Sequence, residues 1–128
     1  MEKLAIEQAL SSPSVMFDPD SGLLEIAGES YPENSFEFYA PIIAWLKQYL
    51  AERDSPVAFR IDLSYLNTSS TKCMIDLLDE LESAFKSGRT VMVEWYYDDE
   101  NERELDTIDE FREDFSMPFS AVPRKDPA

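Results

Sequence analysis

Between residues 57 and 97 the hydrophobic period of the chain changes from two to 3.6 and back to two. In VAFRIDLSYL, Val57, Phe59, Ile61 and Leu63 alternate with Ala58, Arg60 and Asp62, the signature of a strand with one buried face. Met74, Leu77, Leu78, Leu81 and Phe85 then share one face of a helix, which Gly88 stops as a C-cap. TVMVEWYY returns to alternation, Val91, Val93 and Trp95 against Met92, Glu94 and Tyr96. A strand, a helix and a strand of these lengths join as a right-handed crossover between parallel strands, and this unit dictates a sheet covered by helices.

The flanking segments extend the same alternation. VMFDPDSGLLEIAG places short apolar runs on either side of Asp18-Pro19-Asp20-Ser21-Gly22 and predicts a β-hairpin. The segment from Glu29 to Asp54 puts Phe36, Tyr39, Ala40, Ile43, Leu46 and Leu50 near one helical face, with Asn34 or Ser35 as N-cap. Pro41 inside it removes the bond to the Glu37 carbonyl and predicts a kink or a start close to that point. Leu105, Ile108, Phe111 and Phe115 recur at spacings of three and four, a third helix broken by Met117 and Pro118, after which FSAV adds an edge strand. Residues 1–14 read as a short arm and 123–128 as a loose tail. With 128 residues, 44% of them hydrophobic, the chain makes one domain, residues 1–128. The expected order is β-β-α-β-α-β-α-β. The fold class is α/β, a small mixed sheet with an N-terminal β-hairpin and about three helices, or α+β if the hairpin dominates.

Composition removes whole classes of function. There is no His and the single Cys73 has no partner, which excludes Ser-His and Cys-His catalysis, an internal disulfide and a CxxC zinc site. A net charge of −16 repels phosphate backbones and anionic lipid headgroups, so neither nucleic acid nor membrane is expected as a partner. No apolar run approaches the roughly 18 residues of a membrane span, and the acids in MEKLAIEQAL do not fit a signal peptide. The expected location is cytoplasmic. Eleven acids and two arginines lie between Glu94 and Asp114, yet Asp98, Asp99, Glu100, Glu102 and Glu104 lack the glycine and ligand spacing of a calcium loop. A solvated face and a surface that steers a basic partner account for them equally well. Trp45 and Trp95 read as core aromatics and Cys73 as a small buried hydrophobe. No metal, no cofactor and no enzymatic activity are expected.

The chemically informative stretch is IDLSYLNTSSTKCMIDLL, a strand running into hydroxyls at a helix start. Thr68, Ser69 or Ser70 serves as an ordinary N-cap, and capping accounts for the cluster. A phosphate on the same hydroxyls would also meet the free N–H groups and the positive end of the helix dipole, with Lys72 four residues beyond Thr68 as a charge partner. Both readings stand on the residues alone.

This junction resembles the STAS domains of anti-anti-sigma factors, in which a DLSGV-like strand precedes a phosphoacceptor Ser in Asp-Ser-Ser-Gly. Asp62, Leu63, Ser64 and Leu66 match the strand. With three residues dropped, Asn67 stands for the Asp, Thr68 for the phosphoacceptor, and Ser69 follows. A closer resemblance, covering nearly the whole chain, is to the SiaC family of regulatory phosphoproteins. It is carried by GESYPENSFEFYAPIIAWLKQYL, of which SYPENS is the most specific part, by IDLSYLNTSSTKCMIDLLDELE and by VMVEWYYDDENERELDTIDEFREDF. The family pattern has a Gly shortly before a terminal Glu-Asp-Phe, where Phe111 and Arg112 precede Glu113, Asp114 and Phe115 here.

The resemblance implies a STAS-like, non-catalytic adaptor in a partner-switching pathway, phosphorylated on Thr68 by a cognate protein kinase and reset by a PP2C-type phosphatase. The unphosphorylated form is expected to bind and activate a GGDEF diguanylate cyclase, raising cyclic di-GMP and promoting aggregation and biofilm. Tyr31, Pro32, Glu33 and Asn34, together with Asn67, Ser69 and Lys72, are the implied partner-binding residues. The alternatives are a STAS-type antagonist of an anti-sigma kinase and an acidic nucleic-acid mimic.

Overall fold

The computed structural model describes residues 1–124. The elements are β1 (Leu4–Ile6), β2 (Ser14–Phe17), β3 (Leu23–Ser30), α1 (Ser35–Glu52), β4 (Val57–Leu66), α2 (Thr68–Lys86), β5 (Val91–Asp98), α3 (Glu102–Arg112) and β6 (Phe119–Arg124). They form one six-stranded sheet in which spatial order equals chain order. The first three strands pair antiparallel, and β3 through β6 pair parallel. Each parallel crossover therefore steps in the same direction, and right-handed connections place all three helices on one face. That face holds the core, in which Phe17, Leu24, Phe59, Ile61 and Val93 from the strands meet Tyr39, Ile42, Leu46, Met74, Leu77 and Leu78 from the helices. The opposite face is open, with Met16, Glu25, Arg60 and Met92 exposed, and the aligned Glu25, Arg60 and Glu94 cross three strands. No helix of the described residues is long and apolar enough to cross a membrane.

The mixed α/β sheet, the hairpin and the three helices match the sequence expectation, and four details differ. The arm of residues 1–14 contains a strand, since β1 pairs with β2 through Leu4↔Phe17 and Ile6↔Val15. Three residues are too few to reveal a period of two. On α1 the buried stripe is Ser35, Tyr39, Ile42, Leu46 and Tyr49, whereas Phe36 and Ala40 are exposed. The helix is apolar on more than one side, and the interlocking of Tyr39 and Tyr49 with the core selects the stripe. Pro41 lies inside α1, which starts at Ser35 and runs through it as one element; Glu37 and Pro41 are both exposed, so the unpaired Glu37 carbonyl sits on the wet side. Pro123 and Arg124, expected in a loose tail, belong to β6 instead, and Arg124 donates to Asp62 Oδ1 from Nε at 2.9 Å. Residues 125–128 lie outside the described residues.

Gly22 and Phe111 shape the hairpin and α3 through local contacts. Gly22 adopts φ +76°, and a Cβ there would stand 2.2 Å from the Pro56 carbonyl oxygen, so glycine is required at the β2–β3 turn. Near the end of α3, the Phe111 ring packs on Trp95 with centroids 4.9 Å apart, anchoring that end of the helix.

Glu82 fastens the segment after α3 to the core. Its carboxylate accepts bonds from Ser116 N at 2.8 Å, Ser116 Oγ at 2.9 Å and Met117 N at 2.9 Å. Burial pushes the carboxyl up, but the bonds from Ser116 and Met117, aided by Lys86, outweigh it and hold the group below its ordinary value of 4.5. A depressed carboxyl stabilises the fold fully above its ordinary value, and that contribution fades as pH falls through the folded one. Glu82→Gln, which turns an amide N–H toward these donors, is expected to cost about 1–3 kcal/mol at neutral pH. Urea unfolding of both proteins should show a difference that holds from about pH 7 to about pH 5 and shrinks as pH falls toward about 3; a difference constant over the whole range would contradict the assignment.

Candidate functional site

The carboxyl ends of β3 and β4 and the N-termini of α1 and α2 meet at one end of the sheet, the edge where open parallel sheets hold their ligands. One residue, Asn67, separates β4 from α2. Its N–H donates to the Ser30 carbonyl at 2.9 Å, tying the end of β4 to the end of β3. Its side-chain Oδ1 accepts from Ser70 N at 2.8 Å and caps α2. The N-cap is therefore Asn67, and not Thr68, Ser69 or Ser70. The strand ends at Leu66, as its alternation indicated, but the helix already starts at Thr68, ahead of any cap on the hydroxyls, and Asn is as good a cap as Ser or Thr.

With the cap filled by Asn67, the hydroxyls that follow are sorted by helix geometry. Thr68, the first residue of α2, is exposed, and among the described residues no side-chain hydrogen bond engages its hydroxyl. Ser69 is half-buried and Ser70 fully buried. Thr71 Oγ1 donates back to the Asn67 carbonyl at 3.0 Å. Lys72 is exposed one turn beyond Thr68 and, among the described residues, makes no ion pair.

Tyr31, Pro32, Glu33 and Asn34 form the loop from β3 to α1, beside this junction. Tyr31 N donates to the Ser11 carbonyl at 2.8 Å and Tyr31 Oη to the Leu10 carbonyl at 2.9 Å, while its ring meets Tyr65 edge-on at 6.0 Å. Pro32 is half-buried and Glu33 exposed. Asn34 is the N-cap of α1, accepting from Glu37 N at 3.1 Å and donating to Glu37 Oε2 at 3.3 Å. Of the seven expected partner-binding residues, the fold brings the loop and the junction to one end, and it gives Asn34 and Asn67 capping duties as well.

Beneath the loop lies a polar group that sequence reasoning did not single out. Ser30, Ser35, Ser70 and Tyr39 are all buried. Ser30 Oγ donates to Ser70 Oγ at 2.8 Å and lies 2.7 Å from Tyr39 Oη. Ser35 Oγ lies 3.1 Å from Ser70 Oγ and donates to Asn67 Oδ1 at 3.3 Å. Burial pushes the Tyr39 phenol up to about 12, so it remains protonated and can donate. The available signal was the pair of serines that open and close SYPENS, one ending a strand and one starting a helix.

The groups gathered at this end are chiefly hydroxyls and amides, suited to hydrogen bonding. Burial, with Asp76 nearby, pushes the Cys73 thiol up and away from nucleophilic use. A hollow of about 580 Å³ lies at the opposite end of the sheet, beside Arg89, which donates to the carbonyls of Leu50, Arg53 and Ser55. The fold is thus a sheet with one layer of helices that presents, at this end, an exposed hydroxyl beside a capped helix start. The chain belongs to the SiaC family: the model of the SiaC family regulatory phosphoprotein matches residues 6–124. It is 44% identical over 120 residues to an uncharacterised protein of Pseudomonas aeruginosa strain UCBPP-PA14, covering 94% of this chain and 95% of the relative. It is similar to SiaC in the crystal structure of the diguanylate cyclase SiaD in complex with its activator SiaC from Pseudomonas aeruginosa, at 43% identity and a TM-score of 0.92, over 94% of this chain and 99% of the other. Similarity to apo-SiaC of the same organism is 43% with a TM-score of 0.90, over 95% and 99% of the two chains.

The capping assignment makes a stability prediction. Asn67→Ala should destabilise the fold by about 1–2 kcal/mol, while Thr68→Ala should stay within about 0.5 kcal/mol of the parent. Equal losses in chemical denaturation would return the cap to the hydroxyl cluster.

Proposed function

We propose that this chain is a non-catalytic, cytoplasmic adaptor that binds and activates a GGDEF diguanylate cyclase when unphosphorylated, and that phosphorylation of Thr68 by a cognate protein kinase turns binding off. A PP2C-type phosphatase restores the active form. The observation that carries the reading is the exposed hydroxyl of Thr68 at the start of α2, without a side-chain hydrogen bond among the described residues and next to a cap supplied by another residue. The similarity to a SiaC that was crystallised with the cyclase it activates favours this partner over an anti-sigma kinase.

The physical mechanism needs no large rearrangement. A phosphate brings about −1.5 to −2 charges at pH 7 to the positive end of α2, with Lys72 one turn on, so the domain tolerates it. A partner covering Thr68, Ser69, Asn67 and the Tyr31–Asn34 loop would have to desolvate that charge. The loss of one or two interface hydrogen bonds is a few kcal/mol, on the order of a hundredfold in affinity. The strongly acidic α3 adds long-range attraction toward a basic partner surface.

Mass-spectrometric mapping after incubation with the kinase should place phosphate on Thr68, and titration of the cyclase should show binding weakened about a hundredfold. Thr68→Ala should bind constitutively and Thr68→Asp weakly. Phosphate elsewhere, or undiminished binding of the Thr68-phosphorylated protein, would overturn the mechanism. Glu33→Ala separates docking from capping more cleanly than a change at Asn34: it should weaken cyclase binding with thermal stability unchanged, and normal binding would remove Glu33 from the interface.

A further inference from the structure

The buried hydroxyls beneath the loop have a determinable direction. A hydroxyl carries one hydrogen. Ser35 gives its hydrogen to Asn67 Oδ1, so in its 3.1 Å contact with Ser70 the donor is Ser70. Ser30 gives its hydrogen to Ser70, so in its 2.7 Å contact with Tyr39 the donor is Tyr39. The bonds therefore run one way, Tyr39 to Ser30 to Ser70 to Ser35 to Asn67 Oδ1. They pass between α1, the end of β3, α2 and the start of α1, and finish on the residue that precedes Thr68.

The end of this chain is also the cap. Asn67 Oδ1 accepts the Ser35 hydroxyl and the Ser70 N–H together, which fills both of its lone pairs. A phosphate on Thr68 would bring three strong acceptor oxygens to the first turn of α2, where they compete with Asn67 Oδ1 for the Ser70 N–H. Ser35 lies directly after the Tyr31–Asn34 loop and Ser30 directly before it, so both ends of the loop are held by the same set of bonds. All the serine members are buried, and a member left unpaired bears a desolvation cost with no water in reach.

We propose that Ser30, Ser35 and Ser70 are positioning residues of the switch, whose bonds to Asn67 transmit the phosphorylation state of Thr68 to the Tyr31–Asn34 loop. This deepens the phospho-switch proposed above and depends on it. The loop and the junction are then one recognition surface with two settings: bonded to Asn67 when Thr68 is free, and loosened when phosphate draws the Ser70 N–H away.

The test uses the full chain carrying phosphothreonine at position 68, introduced during synthesis, beside the unmodified chain. Amide hydrogen exchange is followed across residues 31–38. Phosphate should speed exchange in this segment roughly tenfold, the sign of a local opening. Ser35→Ala, which cuts the chain before Asn67, should make exchange fast in both forms and abolish the response. Tyr39→Phe, which removes only the far donor, should keep the response although it costs stability. Unchanged exchange in the phosphorylated parent would overturn the inference, needing no variant to fold. So would an equal loss of response in Tyr39→Phe and Ser35→Ala. Binding of purified SiaD from Pseudomonas aeruginosa to the two parent forms separates the two levels: binding lost on phosphorylation with exchange unchanged removes the linkage alone, whereas binding retained removes the switch itself.

Discussion

A single residue between a ten-residue strand and a nineteen-residue helix leaves the chain no slack, and Asn67 is that residue. Its backbone N–H closes onto β3, its carbonyl receives Thr71 Oγ1, and its side chain caps α2 and receives Ser35. The start of α2 is thereby fixed against the start of α1 and the carboxyl ends of two central strands. Because the helix begins immediately afterwards, successive hydroxyls are forced through successive hundred-degree turns, about 100° apart. Thr68 is left in water and Ser70 in the core. A change of one residue in the length of this connection would exchange those environments.

The same economy of connection produces the one-sided architecture. Sequential parallel pairing from β3 to β6 puts every helix on one face, and the other face must be kept wet by its own side chains. Arg60, between Glu25 and Glu94 in register and 3.4 Å from Glu94 Oε1, serves that purpose, as does Asp62 with Arg124. Such exposed pairs contribute little to stability. Their role is to keep an uncovered sheet soluble and in register, while cohesion comes from the aromatic and aliphatic layer around Phe17, Phe59, Tyr39 and Leu77.

What the sequence disclosed follows the length over which each signal repeats. β4, α2 and β5 each hold their period for two or more cycles and were legible, as was the turn at Gly22. β1 is three residues long and was not. On α1, Tyr39 and Leu46 were read correctly but Phe36 and Ala40 were placed inside, because an apolar-rich helix offers two overlapping stripes and only packing chooses. The junction was legible as a helix start rich in hydroxyls, and its cap was not, since Asn, Ser and Thr serve almost equally and the choice depends on where the strand ends. The bonds among Ser30, Ser35 and Ser70 join positions up to 40 residues apart, and no local pattern encodes them.

The neutrality of that buried group bears on how a phosphate at Thr68 would signal under the proposed switch. A buried ion pair at the junction would resist a neighbouring charge or collapse with it, since removing one partner leaves an uncompensated charge in the core. Hydroxyls and one amide bear only the cost of a re-aimed bond. A change of about a hundredfold in a binding equilibrium requires about 2.7 kcal/mol of difference between the two forms, and a single charge-assisted hydrogen bond gained by the phosphate, about 1.5–3 kcal/mol, is of that size. Core residues that take no part in these bonds, such as Phe17, Phe59 and Leu77, keep their packing in both forms on this proposal. On the proposed mechanism the charge stays at the exposed start of α2, and only a few short bonds beneath it are loosened or re-aimed.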